Sequence, residues 1–224
     1  MGDEQKMSGE ELAAGFAPTE RNRLRRLPQR GSYDRETIYA ILDAEIVCHV
    51  GFVEDGQPFV IPMLYARDGD TLLLHGAPAS RLMAYIGAGQ PVSISVAILD
   101  GFVLAKSAYH HSVNYRSVVL FGCGRLLTTA AEKMRGLQIL TEHLAPGRWT
   151  EARPPSPAEL SATAVAAVHI ESASAKVRVG PPVDAAADLS WPAWAGVLPL
   201  ARCIGEPVPA SYNAPDCAPP MMLT

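Results

Sequence analysis

The stretch from Ile46 to His75 reads IVCHVGFVEDGQPFVIPMLYARDGDTLLLH. Two Asp-Gly pairs, Asp55-Gly56 and Asp68-Gly69, divide this stretch into β-rich runs. Asp-Gly pairs favour positive φ angles and the tight turns that join antiparallel strands. The stretch therefore predicts consecutive β-hairpins rather than βαβ units. The runs are Ile46–Val53, Phe59–Tyr65 and Thr71–His75.

The same pattern continues towards the C-terminus. A third pair, Asp100-Gly101, predicts another hairpin turn, between the runs Val92–Leu99 and Phe102–Tyr109. Ser117–Leu127 and Ala164–Ile170 are also β-rich. The predicted fold class is mainly β with flanking helices, a closed or split barrel of six or seven antiparallel strands.

Helical segments interrupt the strands and are expected to pack outside the barrel. Asp34 is a predicted N-cap for a short helix. Ala79–Ile86 predicts a second helix that ends near Gly87 or Gly89, and Ala130–Leu144 predicts a third with one apolar face.

Three segments are expected along the 224 residues. Residues 1–32 predict a partly flexible N-terminal arm, and residues 33–180 predict the barrel domain. Residues 181–224 are rich in proline and alanine and predict a segment that wraps over the barrel and ends in a disordered tail. The arginines of the arm have no interleaved aromatic residues, which favours a solvated arm over a nucleic-acid tail.

Composition and charge exclude several classes of function. The net charge of −4 gives no attraction to nucleic acid or to anionic membranes. No apolar run is long enough to span a membrane, and the charged N-terminus lacks the apolar segment of a signal peptide. The four cysteines include no C-x-x-C pair. We therefore expect a cytoplasmic protein with reduced thiols and without nucleic-acid or membrane partners.

The first candidate site is the stretch Leu74–Arg81, where a strand ends, a loop of small residues follows and a helix begins. A helix N-terminus offers unpaired N–H groups. Ser80 adds a hydroxyl donor and Arg81 a cation that suits phosphate. The stretch predicts a phosphate cradle or, as an equal alternative, an ordinary loop in which Ser80 caps the helix and Arg81 faces solvent.

Two further stretches are rich in polar or aromatic groups. Tyr109–Ser117 predicts either a polar ligand contact or a plain hairpin loop. His110 and His111 are adjacent and point opposite ways on a strand, so no metal site is predicted. The cations of Lys176–Arg178 with the nearby tryptophans predict a clamp for an aromatic anion or, alternatively, core and interface packing.

Five stretches together resemble the pyridoxamine 5′-phosphate oxidase-like family of FMN-binding split barrels. The likeness is greatest to the branch of nitroimidazole-resistance-type flavoproteins and covers roughly residues 21 to 200 of the chain. The stretches are Cys48–Gly51, Pro58–Met63, Leu74–Arg81, His110–Ser117 and Trp194–Pro199.

The resemblance implies FMN as the cofactor and a homodimer with the flavin at the subunit interface. It implies that Ser80 and Arg81 hold the phosphate and that Lys176, Arg178 and Trp194 belong to the site of the partner subunit. Contacts to the rest of the flavin are implied for Val60, Ile61, Pro62, Met63, His75, Gly76, Ala77, Tyr115, Arg116 and Ser117.

The chain departs from the pattern of the pyridoxamine phosphate oxidases at several cofactor positions. Leu82 stands where a lysine follows the Ser-Arg pair, Phe59 and Val60 stand where an arginine reaches the phosphate, and His75 replaces a tyrosine. We therefore expect an FMN-dependent oxidoreductase that acts on another small molecule, with His75 as a catalytic proton donor. Alternatives are a flavin carrier or sensor, a split barrel that uses deazaflavin or heme, and a barrel without a cofactor.

Overall fold

The computed structural model describes residues 15–213 and 218–219. Residues 1–14 of the predicted arm and most of the predicted tail lie outside the described residues. The strands are β1 (Gly31–Ser32), β2 (Val47–Glu54), β3 (Gln57–Asp68), β4 (Thr71–Gly76), β5 (Pro91–Leu104), β6 (Ser112–Leu126), β7 (Ala164–His169), β8 (Ser172–Arg178) and β9 (Gly196–Pro199). The α-helices are α1 (Arg35–Asp43), α2 (Arg81–Gly87), α3 (Ala130–Leu144), α4 (Arg148–Glu151) and α5 (Pro157–Ala162).

Six of the strands close into a ring in the order β6-β7-β4-β3-β2-β5, because β5 also pairs with β6. The long strand β6 has two neighbours on its other side. It pairs with β8 from Tyr115 to Phe121 and with β7 from Gly124 to Leu126. All of these pairings are antiparallel. The predicted fold, a mainly β split barrel, is confirmed.

Alternation along the strands places large apolar side chains inside the ring. Tyr65, Leu72, Ile94 and Leu120 are fully buried there, in one cluster that also takes apolar residues from α1 and α2. A second, smaller cluster lies outside the ring, where α3 packs on β3, β4 and β7. Burial of these clusters supplies most of the favourable free energy of folding.

The predicted helices are confirmed, and their caps explain where they begin. Asp34, Ser80 and Thr129 are the N-caps of α1, α2 and α3, and each side chain accepts a hydrogen bond from the amide three residues later. Gly89 follows α2 with a φ of +71°. In the described part of the chain, none of the helices is long and apolar enough to cross a membrane.

The predicted hairpin turn at Asp100-Gly101 is wrong. Strand β5 continues through the pair, and its register against β6 shifts between Leu99 and Gly101, as in a β-bulge. The backbone of Gly101 pairs instead with β9, and a Cβ at this position would lie 3.0 Å from the carbonyl oxygen of Leu198. Pairing partners on both sides therefore keep the chain extended at a sequence that usually turns.

Three strands, β1, β8 and β9, were not predicted. The sequence of β8, SASAKVR, contains few β-branched residues and was interpreted as a site segment rather than a strand. The arm makes β8 a buried strand, since Asn22 donates a hydrogen bond to the carbonyl of Ala173 and Arg21 contacts Ser172. Contacts between residues 151 positions apart leave no local sequence signal.

Candidate functional site

The loop between β4 and α2 forms the first part of the candidate site, here named the β4–α2 corner (residues 74–83). Ser80 begins α2, and its Oγ accepts a hydrogen bond of 3.3 Å from the amide of Met83. Leu82 and Met83 are buried and anchor the helix to the barrel core. Ser80 is therefore a helix cap, and its own hydroxyl proton remains able to donate to a ligand.

Arg81 leaves the corner towards the tip of the β2–β3 hairpin. Its Nε lies 3.0 Å from Oε2 of Glu54, and its guanidinium carbon lies 4.2 Å from the centre of the Phe59 ring. About half of the Arg81 side chain is exposed. Arg81 is thus neither buried nor free in solvent, but is held between a carboxylate and an aromatic ring.

The residues of β3 that were predicted to lie along the flavin face two different ways. Val60 and Pro62 are exposed on the outside of the barrel, and Val60 is 67% exposed. Ile61 and Met63 are partly buried and pack against the barrel core. The structure therefore brings only the first pair to a surface that a ligand can reach.

His75 and Gly76 end β4, pair with β7 and lead into the corner. His75 is exposed, and so is Ala77 in the loop that follows. Leu74 pairs with Tyr65, so His75 comes next to the outer residues of β3. The His75 imidazole is thus accessible beside the corner.

The second part of the candidate site is the paired stretch of β6 and β8. Tyr115 pairs with Arg178 and Ser117 pairs with Lys176, so these four residues share one face of the sheet. Arg116 points to the opposite face, where its guanidinium binds Asp100 through two hydrogen bonds of 3.0 and 2.8 Å. These hydrogen bonds raise the pKa of Arg116 and fix its charge at Asp100.

The cations of β8 donate to neutral groups within the chain. Nζ of Lys176 donates to the carbonyl of Arg26 in the arm at 2.9 Å. Arg178 is only 8% exposed and donates to Oδ1 of Asn114 and to the carbonyls of Gly180 and Pro181. Arg178 therefore fixes the start of the C-terminal segment to the barrel.

Trp194 lies in that segment, here named the C-terminal strap (residues 179–200). It is 60% exposed, and a Cβ at Gly196 would lie 2.7 Å from its ring. Nζ of Lys106 donates to the carbonyls of Trp191 and Ala193 and fixes the backbone near Trp194. The strap therefore presents an aromatic ring to the outside of the molecule.

The two parts of the candidate site are far apart within one chain. Helix α2 meets β6 near Gly124 and Leu126, whereas the second part lies at Tyr115 and Ser117, at least seven residues or about 24 Å away along the same strand. The structure brings Ser80, Arg81 and His75 together, and separately brings Tyr115, Ser117 and the β8 cations together. It does not bring Arg116, Ile61 or Met63 to either surface.

Sequence reasoning missed two acidic partners of the candidate cations. Glu54 and Asp100 each lie at an Asp-Gly pair, where the sequence predicted only turns. Glu54 is 27 residues from Arg81, and no local pattern indicates that they meet. The one available signal is that Glu54 directly precedes a hairpin turn, which places its side chain at the end of the barrel.

Comparisons with solved structures give two near-full-length matches. The flavocytochrome Anf3 from Azotobacter vinelandii is 41% identical over 92% of this chain and 96% of its own, with a TM-score of 0.85. The FAD- and heme-binding protein from Mycobacterium smegmatis is 35% identical over 86% of this chain and 94% of its own, with a TM-score of 0.81.

A more distant match supports the fold alone. A Bacteroides thetaiotaomicron protein named for 5-nitroimidazole antibiotic resistance is 23% identical over 66% of this chain and 86% of its own, with a TM-score of 0.57. A comparison with curated protein sequences finds no match.

A protein-family model agrees with these matches. The model described as pyridoxamine 5′-phosphate oxidase matches residues 34–177, which run from the cap of α1 into β8. That interval is more than half of the chain and contains the whole barrel ring and the β4–α2 corner. The resemblance inferred from the sequence motifs is confirmed. The chain belongs to the pyridoxamine 5′-phosphate oxidase family.

Proposed function

We propose that this protein is a redox protein that binds a flavin and a heme and works as a homodimer. The observation that carries the proposal is the near-full-length similarity to a flavocytochrome and to an FAD- and heme-binding protein. When bound, a flavin supplies hydride and single-electron chemistry, and a heme supplies single-electron transfer. The residues of the chain would bind and orient these groups.

The β4–α2 corner fits a flavin that carries phosphate. The guanidinium of Arg81 suits phosphate oxygens, and the hydroxyl of Ser80 adds a donor beside it. Val60 and Pro62 offer an exposed apolar surface on the neighbouring strand for the flavin ring. We propose FAD in place of the FMN expected from the sequence, because the M. smegmatis relative is named for FAD.

His75 fits the role of heme ligand. Imidazole is a common axial ligand of heme iron. The rings of His111 and His143 lie 3.0 and 2.9 Å from the carbonyls of Ser107 and Glu45, so each has a partner within the chain. Within residues 15–213 and 218–219 the ring of His75, like those of His49, His110 and His169, makes no hydrogen bond, and His75 is exposed next to the corner.

A second copy of the chain fits the outer face of strands β3, β2, β5 and β6. A solvated sheet face normally carries polar residues, yet five apolar side chains are exposed on this one. Two copies would also join the β4–α2 corner of one subunit to the β6–β8 stretch and strap of its partner. The exposed apolar residues are Val47, Val53, Val60, Leu99 and Val119.

We further propose redox turnover of a small molecule rather than plain flavin carriage. Leu82 and Phe59 stand at cofactor positions where the pyridoxamine phosphate oxidases place cations, so the site carries less positive charge here and favours a phosphorylated substrate less. An unphosphorylated acceptor fits better. Steady-state oxidation of a reduced nicotinamide with an added acceptor checks this, and a complete lack of turnover with several donors would favour a carrier.

The bound chromophores test the central proposal. Protein purified at its natural cofactor content should show both a flavin spectrum and a heme Soret band, and chromatography of the released flavin should identify FAD. His75→Ala should lose the Soret band and keep the flavin, while His169→Ala, a matched change of another exposed histidine on β7, should keep both. A colourless protein that also takes up neither cofactor on reconstitution contradicts the proposal.

The dimer is tested separately. Val119→Asp places a charge on the β6 part of the outer face, where burial of an unpaired carboxylate is costly. Light scattering coupled to size exclusion should give a dimer for the wild type and a monomer for this variant. A wild-type monomer at micromolar concentration contradicts the shared site.

A further inference from the structure

His49 lies in the middle of the outer face, on strand β2. Its neighbours in the sequence, Cys48 and Val50, are fully buried in the barrel, so alternation along the strand turns the His49 side chain outwards. The side chain is exposed and makes no hydrogen bond within residues 15–213 and 218–219. Neither core packing nor a partner in the described chain therefore accounts for an imidazole at this position.

The strand register places His49 beside the surface proposed for the flavin ring. His49 pairs with Pro62 of β3 on one side and with Ser95 of β5 on the other. Directly paired residues have Cβ atoms about 5 Å apart, and the diagonal neighbour, here Val60, is within reach of an aromatic side chain. The imidazole can therefore contact the edge of a planar ring that rests on Val60 and Pro62.

Gly51 keeps the surface next to His49 flat. It pairs with Val60 of β3 and with Ser93 of β5. A Cβ at this position would lie 2.8 Å from Oγ of Ser93, so any larger residue would have to displace that hydroxyl. A side chain here would also lift a planar ring away from the sheet. The strip of Val60, Gly51 and Ser93 thus fits an aromatic ring whose edge meets His49.

In the part of the chain that the structure describes, His49 is the one ionisable side chain in this region of the outer face. Its outer-face neighbours on β2, β3 and β5, within one register step, have apolar side chains, hydroxyls or no side chain. Once a flavin and a second subunit cover the region, His49 is the group there that can exchange a proton near neutral pH. The neighbours are Val47, Gly51, Val60, Pro62, Leu64, Ser93, Ser95 and Ala97.

Electron transfer from a flavin to a heme leaves a proton behind. A reduced nicotinamide delivers a hydride, which is one proton with two electrons, to flavin N5, whereas heme iron accepts one electron at a time. When both electrons have passed to iron, the proton at N5 remains. We propose that His49 is a catalytic base whose imidazole contacts the flavin edge, takes up the N5 proton as the electrons leave and then releases it to water. This inference rests on the proposed function, in which His75 binds the iron and does not serve as the proton carrier.

His49→Gln tests the base in the full-length protein loaded with flavin and heme. Glutamine can still form hydrogen bonds but cannot take up a proton near neutral pH. After anaerobic mixing with NADH, stopped-flow absorbance separates bleaching of the flavin from the later reduction of the heme. We expect the bleaching rate to be unchanged and heme reduction to slow about 100-fold. The rise of the wild-type heme reduction rate with pH, as the imidazole loses its proton, should disappear.

A second measurement needs no turnover. A protonated imidazole at the flavin edge should shift the absorption band of the oxidised flavin, so the band should move between about pH 5.5 and pH 8. The shift is recorded in the His75→Ala background, where the heme spectrum is expected to be absent. His49→Gln should abolish the shift, and His169→Gln on β7 should keep it.

The outcomes separate this inference from the proposed function. A pH-dependent flavin band that persists in His49→Gln, or an unchanged rate of heme reduction, overturns the role of His49 while flavin and heme binding stand. Loss of the Soret band in His49→Gln would also overturn it, because His49 would then be a heme ligand. A wild-type protein that takes up neither flavin nor heme overturns the proposed function and this inference together.

Discussion

The β4–α2 corner and the C-terminal strap carry the two proposed halves of the site, and they are held in opposite ways. The corner is stabilised by neighbours in the sequence. Ser80 caps a helix whose next two residues, Leu82 and Met83, are buried in the core. If one contact in the corner is lost, the others remain, because α2 is held mainly by the burial of its apolar side chains.

Strand β9 fixes the end of the strap to β5, but the residues before it depend on a few long-range polar contacts. Asp184 accepts hydrogen bonds from the amides of Lys106 and Ser107, at 2.9 and 3.4 Å. Most of its apolar side chains, including Leu189 and Trp191, are exposed. The comparison indicates that the corner tolerates single changes, whereas the part of the strap that precedes β9, residues 179–195, can be released by one.

The largest effect is expected from Arg178→Met. The change leaves the buried Oδ1 of Asn114 without its donor and removes two hydrogen bonds to the more exposed carbonyls of Gly180 and Pro181, which together costs about 2–4 kcal/mol. Urea unfolding should show this loss, and limited proteolysis should cut the strap first. Arg178→Lys keeps the charge but not the several N–H donors of the guanidinium. Its free energy of unfolding should lie between those of the wild type and Arg178→Met. Wild-type stability in Arg178→Met would show that the strap is held by other contacts.

Arg81→Ala should have the next largest effect, on binding rather than on folding. A hydrogen bond to a charged group contributes roughly 1.5–3 kcal/mol, so flavin affinity should fall about 10- to 150-fold. The half-exposed ion pair with Glu54 contributes at most about 1 kcal/mol to stability. Fluorescence titration with flavin measures the affinity, and Arg148→Ala on α4 is the matched control. Unchanged affinity would remove Arg81 from the phosphate site.

The difference between local contacts in the corner and long-range contacts in the strap also explains which features the sequence could predict. The runs between Asp55-Gly56 and Asp68-Gly69 indicated hairpins correctly because a two-residue turn and its flanking strands are encoded together. The helix caps at Asp34 and Ser80 could also be predicted from the sequence, since each cap contacts an amide only three residues later. The family motifs then indicated a split barrel, and the family match confirms it.

The missed features all depend on distant partners. Asp100-Gly101 did not turn, because β9 pairs with Gly101 and Arg116 binds Asp100. The ion pair of Glu54 with Arg81 joins two elements that only the closed barrel brings together. Residue type alone indicated that Arg81 and Arg116 are candidate cations, but not which carboxylate each one would meet.

Substitutions of Ser80 can separate its role as a helix cap from its proposed role as a ligand contact. Ser80→Ala should lower the free energy of unfolding by about 1 kcal/mol, because the amide of Met83 loses its acceptor. Ser80→Asp restores a good cap but places a negative charge where the phosphate is proposed, so it should fold normally and bind flavin poorly. Thermal unfolding and flavin titration of both variants measure the two roles. Equal flavin affinity in Ser80→Asp and the wild type would restrict Ser80 to capping.

The smallest effect is expected from Lys106→Met, which removes the two hydrogen bonds to the carbonyls of Trp191 and Ala193. These carbonyls are near solvent and can bind water instead, so the cost should be about 0.5–1 kcal/mol and local to the strap. Hydrogen exchange should speed up in residues 184–194 without a change in the barrel amides. Asp184 holds the same loop from the other side. If the strap opens as one unit, the double variant Lys106→Met/Asp184→Ala should lose more stability than the two single variants lose in sum. Simple additivity would mean that each contact holds only its own residue, which would contradict the release of the strap as a whole.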